Sequence, residues 1–137
     1  MRFVAFLACL ALATTAGAAR QPLPTLTPAQ AISQAAKASP KPVRAVFQFR
    51  VARAAKSHDG YYLDSEKDFR SPANLGIVIR ASAMPGLTQR FGGDLGAALV
   101  GKTIKLIGQV QRAKVGKAGA TATQVEVTHA GQILSVG

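Results

Sequence analysis

The sequence predicts a small, mainly β domain. The expected fold is a five-stranded Greek-key barrel with one short helix between strands three and four, preceded by a small N-terminal helix. Three observations lead there. Apolar and polar residues alternate in several short runs, the signature of half-buried strands. Clusters containing Gly, Pro, Asp or Asn separate those runs and supply turns. Within the strand-rich region, a four-residue apolar spacing appears once, between the third and fourth runs.

The 137-residue chain opens with Met1-Arg2, an apolar run of about eleven residues, and the small-residue stretch Ala16-Gly17-Ala18-Ala19. This order of a positive start, a short apolar core and an A-x-A zone predicts a cleavable secretory signal over residues 1–19. A retained spanning helix needs ~20 apolar residues, so no transmembrane segment is expected to remain. The expected location is periplasmic or secreted. Cys9, the one cysteine, leaves with the leader. Disulfides, cysteine-held metals and cysteine nucleophiles are thereby excluded from the mature chain.

Residues 20–42 are expected to form an N-terminal arm, exposed over residues 20–27 and carrying a short helix that leans on the domain. Thr27-Pro28-Ala29-Gln30 has the spacing of a capping box, with Pro28 at the first helical position. Ala29, Ile32, Ala35 and Ala36 would share its apolar face, and Pro40 and Pro42 would end it. The barrel then occupies residues 43–137. Val43, Ala45, Phe47, Phe49 and Val51 alternate with polar or smaller neighbours and predict a first strand. Arg53 falls on the parity of that core set, so a bulge is expected near Ala52 or Ala54. Asp59-Gly60 predicts a hairpin turn into a second strand around Tyr61-Tyr62-Leu63.

Residues 75–80 (LGIVIR) form the expected third strand, with Ile77 and Ile79 on one face. Leu87, Phe91, Leu95 and Leu99 predict one or two helical turns, broken by Pro85, Gly86, Gly92 and Gly93. Residues 103–112 form the fourth strand, with Ile104, Leu106 and Val110 inward and Gly108 at a bend or close approach. After the glycine-containing loop 115–119, residues 122–128 form the fifth strand, with Val125 and Val127 inward. A closing segment spans residues 132–136. Five strands with one helix between the third and fourth is the order of the OB-fold, whose closure removes exposed edges from a small domain.

Three stretches carry a resemblance. Residues 59–75 (DGYYLDSEKDFRSPANL) resemble the second-strand region of exported bacterial OB-fold proteins. Residues 101–110 (GKTIKLIGQV), a GK-x-I-x-L-x-G-x-V run, also resemble these proteins, and residues 125–133 (VEVTHAGQI) resemble their closing strand. The resemblance covers roughly residues 43–136. It implies either a nucleic-acid-binding OB domain or the periplasmic bacterial OB-fold family, for which nucleic acid binding is not implied. Those families often carry Pro after the His near the end, where this chain has Ala130.

Charge sets the expected ligand class. Seventeen Lys and Arg stand against six acids, a formal net charge of +11. Such an excess favours anionic partners. OB-folds bind on the face of strands two and three, flanked by the loops after strands one and four. The residues expected there are Arg53, Lys56, Tyr61, Lys67, Arg70, Arg112, Lys114 and Lys117. Cations track a phosphate backbone and an aromatic face stacks a base, so single-stranded nucleic acid or another polyanion is the first expected partner. Two alternatives stay open: a periplasmic protein-interaction or envelope-stress scaffold, and a binder of anionic lipid or glycan.

No enzyme is expected. His58 and His129 lack metal spacing, and the serines lack a G-x-S-x-G context. Asp64, Glu66 and Asp68 alternate and could face one cation, but the glycine and distal Glu of a calcium loop are missing. Ion pairing with Lys67 and Arg70 is the expected role, and no cofactor or metal is expected.

Overall fold

The computed structural model describes residues 22–137. The predicted leader lies outside the described residues. The fold is mainly β, an eight-stranded sheet with three α-helices. Strand β1 (Thr25–Leu26) leads into helix α1 (Pro28–Ala38). Then follow β2 (Val43–Arg50), β3 (Arg53–Ser57), β4 (Gly60–Asp64) and β5 (Leu75–Arg80). Helices α2 (Met84–Phe91) and α3 (Leu95–Leu99) come next. The chain closes with β6 (Thr103–Val115), β7 (Ala120–Val127) and β8 (Ile133–Val136).

The hydrogen-bonded order is β1-β2-β6-β7-β5-β4-β3, with β8 also on β6. The β1–β2 and β5–β7 pairs are parallel, and the rest are antiparallel. Eight strands stand where five were expected, for local reasons. The long first run breaks at Val51–Ala52 into β2 and β3. The Val51 amide donates to the Lys102 carbonyl, while the Ala52 amide donates to Asp64. Neighbouring residues thus join different strands, and the chain bends between them. Two short strands, β1 and β8, complete the count.

One face of this sheet curls around a single core. Ala45, Phe47, Phe49 and Val51 meet Leu63, Leu75, Ile77, Ile79, Ile104, Leu106, Val110, Val125 and Val127 there. Burying each large side chain stabilises the fold by about 1.5–3 kcal/mol. Leu87, Leu95 and Leu99, all fully buried, bring α2 and α3 onto this core, with α3 against β3 and α2 against the turn at residues 130–132. The expected single four-residue face is split at Gly92, which ends α2 with φ of 91°. Helix α1 contacts β2, β5 and β6.

The capping box forms as the sequence predicts. The Gln30 amide donates to the Thr27 hydroxyl, and the Thr27 amide donates to the Gln30 side chain. The buried face differs: Ala31 and Ala35 are fully buried, while Ala29 and Ala36 are exposed. Leu26 of β1 is also buried, so the expected exposed arm contributes to the core. Its two-residue pairing with β2 draws Leu26 beside Phe47.

Three glycines stand at close approaches, among them Gly86, where a Cβ would lie 2.7 Å from Ala130 Cβ. A Cβ at Gly60 would collide with the Ile79 carbonyl oxygen. At Gly108 it would stand 2.8 Å from Val125 Cγ1. Beside Gly108, Gln132 bridges the gap where β6 and β7 meet the closing segment. Its Nε2 donates to the carbonyls of Ile107 and Glu126, while its Oε1 accepts from the Thr128 and His129 amides. Among the described residues, no helix is long and apolar enough to cross a membrane.

Candidate functional site

A cavity of about 630 Å³ forms a groove beside β3, β4, β5 and the β6–β7 hairpin. Alternation builds its floor. Leu63 is fully buried, so Tyr61, two residues earlier, shares its inward face, and Tyr62 turns outward. In register, Tyr62 lies between Ala55 of β3 and Val78 of β5, and Asp64 lies between Arg53 and Gly76. Small residues at Ala55 and Gly76 leave room beside Tyr62 and Asp64. Ile32 and Ala36 of α1 line one part of the groove, residues 69–72 another, and the hairpin from Val115 to Gln124 a third.

The break at Val51–Ala52 fixes Arg53. Past it, Arg53 leaves the core face and stands opposite Asp64. Its Nη1 lies 2.7 Å from Asp64 Oδ2. Asp64 is only 4% exposed, and its other oxygen accepts from Asn74 Nδ2 at 3.0 Å. The carboxylate is therefore paired on both oxygens, which burial of a charge demands.

Asn74 organises the loop between β4 and β5. Besides bonding Asp64, its Nδ2 donates to the Phe69 carbonyl, and its Oδ1 accepts from the Glu66 amide. Ser65 adds a bond by accepting from the Leu75 amide at 2.8 Å. These bonds hold Phe69 at the groove although its ring is 53% exposed. Two guanidiniums flank that ring, Arg53 at 4.8 Å from its centre and Arg70 at 5.7 Å. Such contacts are worth about 0.5–1 kcal/mol each at exposed sites.

Arg70 also reaches Asp68 Oδ1 at 3.4 Å, with both side chains largely exposed. Asp68 titrates below its ordinary value, first because its carboxylate accepts from the Arg70 backbone amide. Desolvation works against this, and the Arg70 side chain adds a further, smaller pull downward. The acidic residues of this loop thus divide. Asp64 pairs with Arg53 and Asp68 with Arg70, while Glu66 is exposed. No cluster of three or more metal-ligating side chains occurs among the described residues.

Of the eight residues expected to bind, Arg53, Arg70 and Arg112 converge on the groove. Lys114 and Lys117 are exposed on β6 and at the hairpin tip, and Lys67 is exposed on the same loop as Phe69. Tyr61 and Lys56 are placed elsewhere. Tyr61 packs against the core and its hydroxyl bonds Asp94 at 3.4 Å, because it shares parity with Leu63. Lys56 pairs with Tyr61 in register and so faces away from Arg53 and Ala55. Sequence reading weighed both tyrosines and chose Tyr61 over Tyr62, and it missed Asn74 and the α1 wall. For Tyr62 a signal existed, since Leu63 fixes the parity of both tyrosines. The hydrogen bonds of Asn74 depend on the path of a ten-residue loop and leave no periodic trace.

A second, smaller cavity of about 440 Å³ lies on the outer face of β6 and β7, lined by Arg44, Gln109, Glu126 and His129 among others. Glu126 is already paired there with Arg80 at 2.8 Å. Bonding to Glu126, with its charge second, raises the Arg80 pKa further. No protein-family model matches the chain, and no curated protein matches its sequence.

Proposed function

We propose that this chain is an exported, non-catalytic OB-fold-like module that binds an anionic polymer, single-stranded nucleic acid first, at the Tyr62–Phe69 groove. The OB-fold reading takes β2 and β3 as one bent strand. The neighbours then run first strand, fourth, fifth, third, second and first again, the order of a five-stranded Greek-key barrel. Helices α2 and α3 fall between the third and fourth strands in this reading. The leader supports a periplasmic or secreted location.

One observation carries the binding reading: two exposed aromatic side chains and three arginines line one groove, whose lone carboxylate is already spent on Arg53. Aromatic faces stack bases, and guanidiniums neutralise phosphates. The alternative, a protein-interaction scaffold, would rely on outward apolar groups such as Val46 and Ile107. Both are half-buried on β2 and β6, and neither lines this groove.

Fluorescence anisotropy of a labelled ~20-nucleotide single strand tests the reading. Arg70, Arg112, Lys114 and Lys117 are the four cations offered to phosphates. Engagement of all four gives a log–log salt slope of about −3, and each alanine substitution flattens it by about 0.7. Absence of binding at low salt would sink the polyanion reading and favour the protein-interaction scaffold.

A further inference from the structure

We infer that the groove holds one nucleoside unit bearing a terminal phosphomonoester, with the base against Tyr62 or Phe69 and the phosphate on Arg70 and Arg112. This inference rests on the polyanion reading and narrows it to a strand end or a free mononucleotide.

Size argues first. An OB-fold that tracks a strand engages about 4–16 nucleotides. The groove here encloses about 630 Å³, the scale of a site for one small ligand. Its lining comes from two separate parts of the chain besides the sheet. Ile32 and Ala36 belong to α1, and Phe69 to the loop after β4, while Val115 and Ala120 close the far end from β6 and β7. Such lining suits a short insert better than a strand passing through.

Charge argues second. Arg53 is committed to the buried Asp64 carboxylate, so the pair adds no net charge. Arg70 has only the exposed Asp68, at 3.4 Å. Arg112 has no ion-pair partner among the described residues. Two guanidiniums therefore remain for the ligand. An internal phosphodiester carries one negative charge, while a phosphomonoester carries about 1.5 to 2 at neutral pH. The terminal group matches the groove better, and arginine forks suit its several oxygens.

The aromatic residues argue third. The chain contains no Trp and only two Tyr. Tyr61 is held on the inner face, so a Tyr61→Phe variant leaves Tyr62 as the sole tyrosine, at the groove floor. Its fluorescence then reports occupancy directly.

The test titrates this variant with adenosine 5′-monophosphate, adenosine and inorganic phosphate. In parallel, labelled 20-mers carrying a 5′-phosphate, a 3′-phosphate or hydroxyls at both ends are compared by anisotropy. The monophosphate is expected to quench Tyr62 and to displace the labelled strand, while adenosine and inorganic phosphate act far more weakly. One of the phosphorylated strands is expected to bind about tenfold tighter than the hydroxyl-ended strand. Which end gains identifies the strand polarity, whereas gain by the free nucleotide alone identifies a mononucleotide site. Phe69→Ala and Arg112→Ala should each weaken the monophosphate while far-ultraviolet circular dichroism stays unchanged, since both side chains are exposed. Equal binding of all three strands, with no displacement by the monophosphate, overturns this inference and leaves the polymer reading standing. Quenching by inorganic phosphate as strong as by the monophosphate overturns the base contact and with it the inference. If neither strands nor monophosphate bind, both readings fall.

Discussion

Asn74→Ala should cost the fold about 3 kcal/mol and weaken ligand binding beyond that loss of stability. Asn74 is 8% exposed and makes three hydrogen bonds, to Asp64 Oδ1, the Phe69 carbonyl and the Glu66 amide. A bond to a charged partner contributes about 1.5–3 kcal/mol and a neutral one about 0.5–1.5. The upper end of the sum is not reached, because Glu66 and Phe69 are exposed enough for water to replace part of what is lost. Asp64 cannot recover as easily, since its carboxylate is buried and would keep only Arg53. For a domain this size, a loss of about 3 kcal/mol lowers Tm by roughly 10 °C. Urea unfolding should show a lower midpoint with an unchanged slope. Ser71→Ala is the control, because it removes only a bond from the exposed Ala73 amide and should cost under about 1 kcal/mol. In native buffer, Asn74→Ala should still bind the single strand more weakly, because Phe69 and Arg70 lose their anchor. A cost below about 1 kcal/mol, equal to that of Ser71→Ala, would refute the claim that Asn74 organises this loop.

Other expectations follow from the same geometry. Gly60→Ala should destabilise by more than about 3 kcal/mol because its Cβ meets the Ile79 carbonyl. Gly116→Ala, in open space at φ of 68°, should cost only about 1 kcal/mol; equal midpoints in urea would contradict both assignments. Gln132→Leu strands the Thr128 amide and the Ile107 and Glu126 carbonyls, so calorimetry should show a loss of about 2–4 kcal/mol. For Asp68, carboxyl NMR should give a midpoint below 3.8. Its folded pKa is depressed, so its contribution to loop order is full above the ordinary value and fades as pH falls through the lower one. Arg70→Ala keeps the backbone amide that is the main cause, so most of that depression should remain; a midpoint at or above 3.8 in the parent protein would contradict the bond.

Much of the sheet was legible because period-two alternation survives wherever one strand face is buried. Ile77 and Ile79, Ile104 and Leu106, and Val125 and Val127 all point as their spacing predicts. The bend was legible too, since Arg53 could not share the core face of Phe49 and Val51. Less legible were features decided by tertiary packing. A two-residue strand such as β1 is too short to show alternation. Helix α1 is alanine-rich, so a small rotation exchanges Ala36 for Ala31 with little change in sequence pattern. At the groove, cationic residues could be named but not sorted by face beyond the reach of alternation. Lys56 and Arg53 lie three residues apart on β3 and therefore face opposite ways.

The most direct test of the groove as the binding site is an amide and side-chain NMR titration of the protein with a short single strand. The account predicts chemical-shift changes concentrated at Tyr62, Phe69, Arg70, Arg112 and the Val115–Ala120 turn, with Lys56, Tyr61 and the Arg44–Gln109 face unmoved. Changes centred instead on the outer face of β2 and β6, with Tyr62 and Phe69 silent, would contradict it.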